Sequence, residues 1–207
     1  MTLTIYGIAR TRTSRVLWMA EELGVPYTHE PTPISDEGTR APAFRALNPI
    51  GRVPTIDDDG LVLSESLAIN LHLAKKVGGP LAPRDLAEDS LATMWTLFAA
   101  TELEPNAHEV LVHTHNRPPE TRDPQARDAA LAALARPLAA LEDALAAGGG
   151  HLVGGRFTVA DLNVACVLFY LRAWPAALGP FPAIAAFWQA ATQRPGYRAM
   201  LRLRGDL

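Results

Sequence analysis

Between Asn48 and Ser66 the chain reads NPIGRVPTIDDDGLVLSES, and this stretch leaves few choices to the rest of the fold. Val53-Pro54-Thr55-Ile56 predicts an extended segment, Asp59-Gly60 the left-handed turn of a tight hairpin, and Leu61-Val62-Leu63 a returning strand. A proline opening a strand donates nothing to the ladder and is the residue type that most readily follows a cis peptide bond. The Val53 N–H and C=O are therefore expected to face outward as a free docking edge. Ser64-Glu65-Ser66 then precedes Leu67, Ile69, Leu71 and Leu73, a helical pattern. Two hydroxyls and a carboxylate thus fall at a helix N-terminus, whose first N–H groups have no intrahelical acceptor and receive anions.

Around that hairpin the order of elements is simple. Leu3 to Tyr6 predicts a first strand ended by Gly7, and residues 9 to 13 a polar loop. A helix follows with an apolar stripe at Val16, Leu17, Ala20 and Leu23, and stop signals at Gly24 and Pro26. Pro26 to Glu30 predicts a second strand, 31 to 42 a loop, 43 to 47 a short helix, and 65 to about 77 the helix after the hairpin. The run Gly78-Gly79-Pro80-Leu81-Ala82-Pro83 is a composition break, and no convincing strand follows it. The domain division is expected there, with residues 1–80 as an α/β domain and 86–207 as an all-α one.

In the second part, residues 86 to 115 predict a helix bent near Pro105, because an interior proline removes one hydrogen bond and crowds the preceding turn. Asp123 to Ala147 carries a leucine seam at spacings of three and four, interrupted by Pro137 and ended by three glycines. Thr158-Val159-Ala160-Asp161 has the form of a capping box with Asp in the usual Glu position, and is read as holding the fold. Two helices opened by prolines, 182–193 and 195–204, complete the chain.

Composition removes several classes of function. With 207 residues, 48% hydrophobic and 20% charged, the chain can bury a full core. A formal charge of −3 gives no electrostatic support to a nucleic-acid partner, and no apolar run is long enough to span a bilayer. No secretory leader is evident at the start, so a cytoplasmic protein is expected. The single Cys166, in an apolar helical pattern, leaves no disulfide framework, CxxC pair or thiolate metal cluster. His108, His113 and His115 share one helix but have no accompanying carboxylate set, so no metal site is expected.

The run Asn48-Pro49-Ile50-Gly51-Arg52-Val53-Pro54-Thr55-Ile56 with Glu65-Ser66 resembles the glutathione-binding half of the cytosolic-type (bacterial) glutathione transferases, and the resemblance extends over the whole chain. It implies a thioredoxin-like α/β domain followed by an all-helical one. It implies further that the backbone of Val53, before the cis-proline Pro54, pairs with the cysteinyl part of glutathione. Glu65 and Ser66 would hold the γ-glutamyl group, and Arg52 would help hold the peptide backbone. Glutathione would be a co-substrate, the partner a small hydrophobic electrophile, and the assembly a homodimer.

Such chemistry needs a thiolate, so a hydrogen-bond donor or positive charge must lower the thiol pKa. In serine-type relatives the donor lies four residues before an arginine of the first helix; counting back from Arg15 gives Thr11, with threonine in place of serine. Other members use the position one residue upstream, here Arg10. Tyr6, Thr13 and Ser14 stay open as alternatives, and Arg12 and Arg15 read as interface or ion-pair residues. The resemblance places the second substrate against Trp95, Phe98, Ala99, Glu102 and His108. A peroxidase, lyase or isomerase on the same fold is the alternative, as is a non-catalytic binding module.

Overall fold

The computed structural model describes residues 2–207, and they form two compact units. One holds the residues up to Gly79 together with Gln193–Leu207; the other is Pro80–Thr192.

In the first unit, β1 (Leu3–Tyr6) pairs in parallel with β2 (Thr28–Glu30) and antiparallel with β3 (Thr55–Asp58), which pairs antiparallel with β4 (Leu61–Ser64). The sheet order is β2-β1-β3-β4. Strand alternation sends Leu3, Ile5 and Ile56 into the core, where α1 (Thr13–Leu23) and α3 (Ser66–Val77) supply Val16, Leu17, Ile69 and Leu73, all essentially fully buried. The β3–β4 turn has Asp59 at φ 53° and Gly60 at φ 90°, two successive left-handed residues, as the Asp-Gly pair predicts. The short helix α2 is Pro42–Leu47, one residue longer at its start than the sequence pattern predicts. The order β-α-β-α-β-β-α is the thioredoxin-like arrangement.

In the second unit, α4 (Leu86–Phe98), α5 (Glu104–Leu111), α6 (Pro124–Ala147), α7 (Val159–Leu168) and most of α8 (Pro182–Gln193) form a helical bundle. Every residue of α7 is buried, and it packs against α4 and α5, while α6 packs on α5. Asn163 on α7 donates to the Thr96 hydroxyl of α4 at 2.9 Å. The bend expected at Pro105 takes the form of a π turn, Ala99–Leu103, closed by Glu104 N–H on the Ala99 carbonyl. Proline has no N–H for the carbonyl four residues back, and widening the preceding turn removes the need for one. A second π turn, Val112–Asn116, ends α5. Pro137, expected to interrupt its helix, lies inside an α6 that runs unbroken.

The final helix α9 (Pro195–Arg204) packs on α1, which is why residues 193–207 group with the first unit rather than with the helices preceding them. Trp18 and Tyr197 meet edge-to-face at 5.0 Å, and Arg194 grips the almost buried Glu22 through Nε and Nη2 at 2.9 and 2.7 Å. Periodicity could place the helix but not its neighbour.

The capping box is present: Thr158 N–H and Oγ1 both donate to Asp161 Oδ2 at 2.9 Å, and Leu152 N–H donates to Oδ1 at 3.0 Å. Burial pushes the Asp161 carboxyl up, and these donors oppose that. Thr158→Ala is therefore expected to lower the unfolding free energy by about 0.5–2 kcal/mol, read from urea unfolding curves.

The loop before α7 is clamped by Arg156, whose Nη1 and Nη2 meet both Glu88 oxygens at 2.9 and 2.7 Å while Nε and Nη2 donate to the Pro80 and Ala82 carbonyls. Hydrogen bonding from Arg156, then from Arg84 N–H, pulls the Glu88 carboxyl down to about 2 from the ordinary 4.5. A depressed folded-state pKa adds stability above the unfolded value, and that stability is lost as pH falls from 4.5 toward about 2. Arg156→Met should be less stable than the parent at neutral pH, with the difference shrinking across that acid window in urea titrations.

Candidate active site

At the end of β1 the start of α1 and the Val53 loop come together. Gly7 has φ 129°, and a Cβ built on it would lie 2.1 Å from Thr13 Oγ1 and 2.8 Å from Val53 Cβ. Only a residue without a side chain lets the start of α1 and the Val53 loop close over the strand end. Two residues along α1, Arg15 is buried and donates from Nη1 to Ser66 Oγ at 3.2 Å. The first turns of α1 therefore touch both the Val53 loop and the start of α3.

The Val53–Pro54 bond is cis, as the sequence predicts. Val53 N–H and C=O make no hydrogen bond among the described residues, because the β3 ladder begins only at Thr55. This free edge is held by Asn48, a buried residue to which the sequence analysis gave no role. Its Nδ2 donates to the Arg52 carbonyl at 3.0 Å and to Thr55 Oγ1 at 2.9 Å, and its Oδ1 accepts from Ile50 N–H at 3.1 Å. Thr55 Oγ1 donates to the same Arg52 carbonyl at 2.8 Å. Arg52 thus contributes its carbonyl to the loop, while its side chain is exposed.

Glu65 stands at the head of α3 with φ 72° and ψ 102°, a strained backbone for a residue with a Cβ, and its side chain is exposed and caps nothing. Such strain costs roughly 1–3 kcal/mol and collects at sites where a ligand uses the conformation. Ser66 beside it is buried against Arg15. The helix start, without a side-chain cap, offers backbone N–H groups and a positive dipole end to an anion.

Thr11 lies in the turn that enters α1. Its Oγ1 donates to the Ile8 carbonyl at 2.8 Å, lies 2.9 Å from Thr13 Oγ1, and accepts from Thr13 N–H at 3.2 Å. Ser14 is buried and donates to the Thr11 carbonyl at 3.0 Å, so its hydroxyl supports the turn. Arg10 is directed elsewhere: Nε donates to the Arg204 carbonyl at 3.0 Å, Nη2 to the Gly205 carbonyl at 3.4 Å, and Asp206 lies 3.7 Å away.

Tyr6 looks into a cavity of about 560 Å³ lined by Glu30, Glu37, Phe44 and Leu47 among others, and by none of Thr11, Val53, Glu65 or Ser66. Burial, then Asp57 and Glu30, raise its phenol pKa, an acidic neighbourhood unsuited to stabilising another anion.

In the helical unit, Trp95 and Phe98 meet edge-to-face at 5.2 Å, and His108 packs against Tyr170 at 5.5 Å. His113 is buried and accepts from Asp123 N–H at 3.0 Å, so it serves the fold.

Asn48→Ala would leave the Arg52 carbonyl with one donor fewer and Ile50 N–H without its acceptor. It is expected to cost about 1–3 kcal/mol of stability, and more than Arg52→Ala costs, by denaturant titration.

Residues 11–76 match the family model for the glutathione S-transferase N-terminal domain, and residues 103–195 that for its C-terminal domain. Glutathione S-transferase 4 of Zea mays is 30% identical over 201 residues, covering 92% of this chain and 88% of that one. Among solved structures, glutathione S-transferase I from maize in complex with an atrazine glutathione conjugate is 26% identical, with a TM-score of 0.88 and 98% of both chains covered. The theta class enzyme of Xanthomonas axonopodis pv. citri with glutathione bound is 31% identical, with a TM-score of 0.80 and 95% of both chains covered.

Proposed function

The chain belongs to the glutathione S-transferase family, and within it we propose a cytosolic-type, serine/threonine-type enzyme that joins the glutathione thiolate to small hydrophobic electrophiles. The observation that carries this reading is the close approach at Gly7 of the Val53 edge and the start of α1, where Thr11 is bonded to Thr13 and Arg15 ties the uncapped start of α3 to the same helix through Ser66.

In this reading Val53, ahead of Pro54, accepts and donates main-chain hydrogen bonds to the cysteinyl residue, as an added strand would. The γ-glutamyl carboxylate and amine meet the α3 N-terminus, Glu65 and Ser66. Arg15, a buried guanidinium behind Ser66, adds positive charge to that end. Arg52 lies on the solvent side, where its side chain can reach a peptide carboxylate. A free thiol has a pKa of roughly 8.5, so at neutral pH only a small fraction is nucleophilic. A hydrogen bond from Thr11 to sulfur favours the thiolate and supplies the reactive form. Of the two candidates for this task Thr11 is favoured, because Arg10 has its guanidinium committed to the carbonyls at the end of α9. The electrophile is then attacked at carbon, with its leaving group or opened ring taking the electron pair.

A homodimer fits the same reading. Leu91, Met94 and Leu97 form an exposed apolar stripe along α4, with Leu86 exposed at its start. A contiguous face of this kind is covered in most soluble proteins. In this reading the resemblance to cytosolic-type relatives supports action in the cytoplasm, and no described helix is long and apolar enough to cross a membrane.

The test is conjugation of glutathione to an aryl halide across a pH series. Thr11→Ala should raise the apparent pKa of the bound thiol by about one unit and lower kcat/KM on the acid side by about tenfold. Arg10→Ala should stay within about twofold, as befits an exposed tether. Equal rates for parent and Thr11→Ala, with loss in Arg10→Ala, would transfer the role to Arg10.

A further inference from the structure

We propose that the buried Thr13 hydroxyl is a positioning group for Thr11: it fills the acceptor side of Thr11 Oγ1, so that this oxygen can meet glutathione sulfur only as a proton donor. The inference rests on the assignment of Thr11 given above and goes beyond it.

A hydroxyl has one proton and two lone pairs. Around Thr11 Oγ1 the accounting closes. The proton goes to the Ile8 carbonyl at 2.8 Å, and the Thr13 N–H at 3.2 Å takes one lone pair. Thr13 Oγ1 lies 2.9 Å away on the remaining side. With the Thr11 proton on Ile8, the hydrogen between the two side-chain oxygens belongs to Thr13. Thr13 is fully buried, so its hydroxyl has no water to turn to, and the missing side chain of Gly7 leaves the space it occupies.

The arrangement discriminates between the two protonation states of a ligand sulfur. A thiol S–H would need a free lone pair on Thr11 and finds both taken. A thiolate needs a donor and finds one proton, which it wins from Ile8. That exchange strands nothing, because the Ile8 carbonyl also accepts Thr11 N–H at 3.0 Å and keeps that bond. The chain from Thr13 O–H through Thr11 O–H to sulfur is polarised in one direction, which strengthens the terminal bond. The thiolate is a strong acceptor for the Thr11 proton, whereas the neutral thiol is a weak one and its S–H finds no acceptor on Thr11, so the charged form is favoured and the thiol pKa falls.

The experiment compares Thr13→Val and Thr13→Ser with the parent, reading the ultraviolet thiolate band of bound glutathione and kcat/KM for an aryl halide, each against pH. Thr13→Val is expected to raise the apparent pKa by about half to one unit and to lower kcat/KM about three- to tenfold on the acid side. The profiles should converge at high pH, the glutathione KM should stay within about twofold, and Thr13→Ser should restore the parent profile. A merely structural role would scale kcat/KM at all pH values without moving the pKa. Superimposable pKa values for Thr13→Val and the parent, or failure of Thr13→Ser to rescue, overturn the proposal. If thermal unfolding shows Thr13→Val to be misfolded, Thr13→Ala makes the same deletion without the added bulk and is read by the same criteria. Thr11→Val separates the two levels: a raised pKa there with none in Thr13→Val removes the relay alone, whereas no change in Thr11→Val removes the assignment of Thr11 beneath it.

Discussion

The close approach of the start of α1 and the Val53 loop to Gly7 is the constraint on which the candidate site depends. A single methyl group there would collide with Thr13 Oγ1 and Val53 Cβ together. The strand end is thus a common floor for the start of α1 and for the Val53 loop. What results is a corner with three kinds of hydrogen-bonding surface: a main-chain edge at Val53, a hydroxyl pair at Thr11 and Thr13, and a helix start at Ser66. None of these needs an unusual side chain. Their value comes from being held at one place.

The supports of that corner are buried and polar, and each is satisfied locally. Asn48 closes the loop below Val53 with three hydrogen bonds, and Ser14 closes the turn below Thr11. Buried polar groups of this kind are costly when half-satisfied and specific when complete. They fix one loop conformation rather than add much net stability. The strained φ of Glu65 fits the same pattern, since a conformation of that kind persists only where its surroundings over-determine it.

Much of this was legible in the sequence because the signals were local. The hairpin, its Asp-Gly turn, the cis bond before Pro54, the capping box at Thr158 and the proline-opened helices each follow from a few adjacent residues. The candidate positions for holding glutathione came from resemblance and not from local physics. What stayed hidden depended on partners distant in the chain. Arg10 and Thr11 are equally placed by counting, but only the fold reveals that Arg10 meets residues 204–206. Arg15 reads as an ion-pair residue until its hydrogen bond to Ser66, 51 positions away, is seen. Asn48 was part of the motif, yet its three bonds depend on how the loop closes. His108, His113 and His115 read as sharing one helix, whereas His113 and His115 lie in the π turn that ends α5.

The π turn at Ala99–Leu103 has a consequence for how the long helical stretch can vary. A wide turn holds one more residue than an α turn, and each residue of an α-helix advances the phase by about 100°. The wide turn absorbs its extra residue while sweeping nearly the rotation of an α turn, so the leucine and methionine stripe on α4 keeps its phase relative to the His108–Tyr170 face on α5. Losing that residue would restore regular winding with both surfaces nearly in place. Losing one from the regular winding on either side, where nothing absorbs the change, would turn one surface against the other by about 100°.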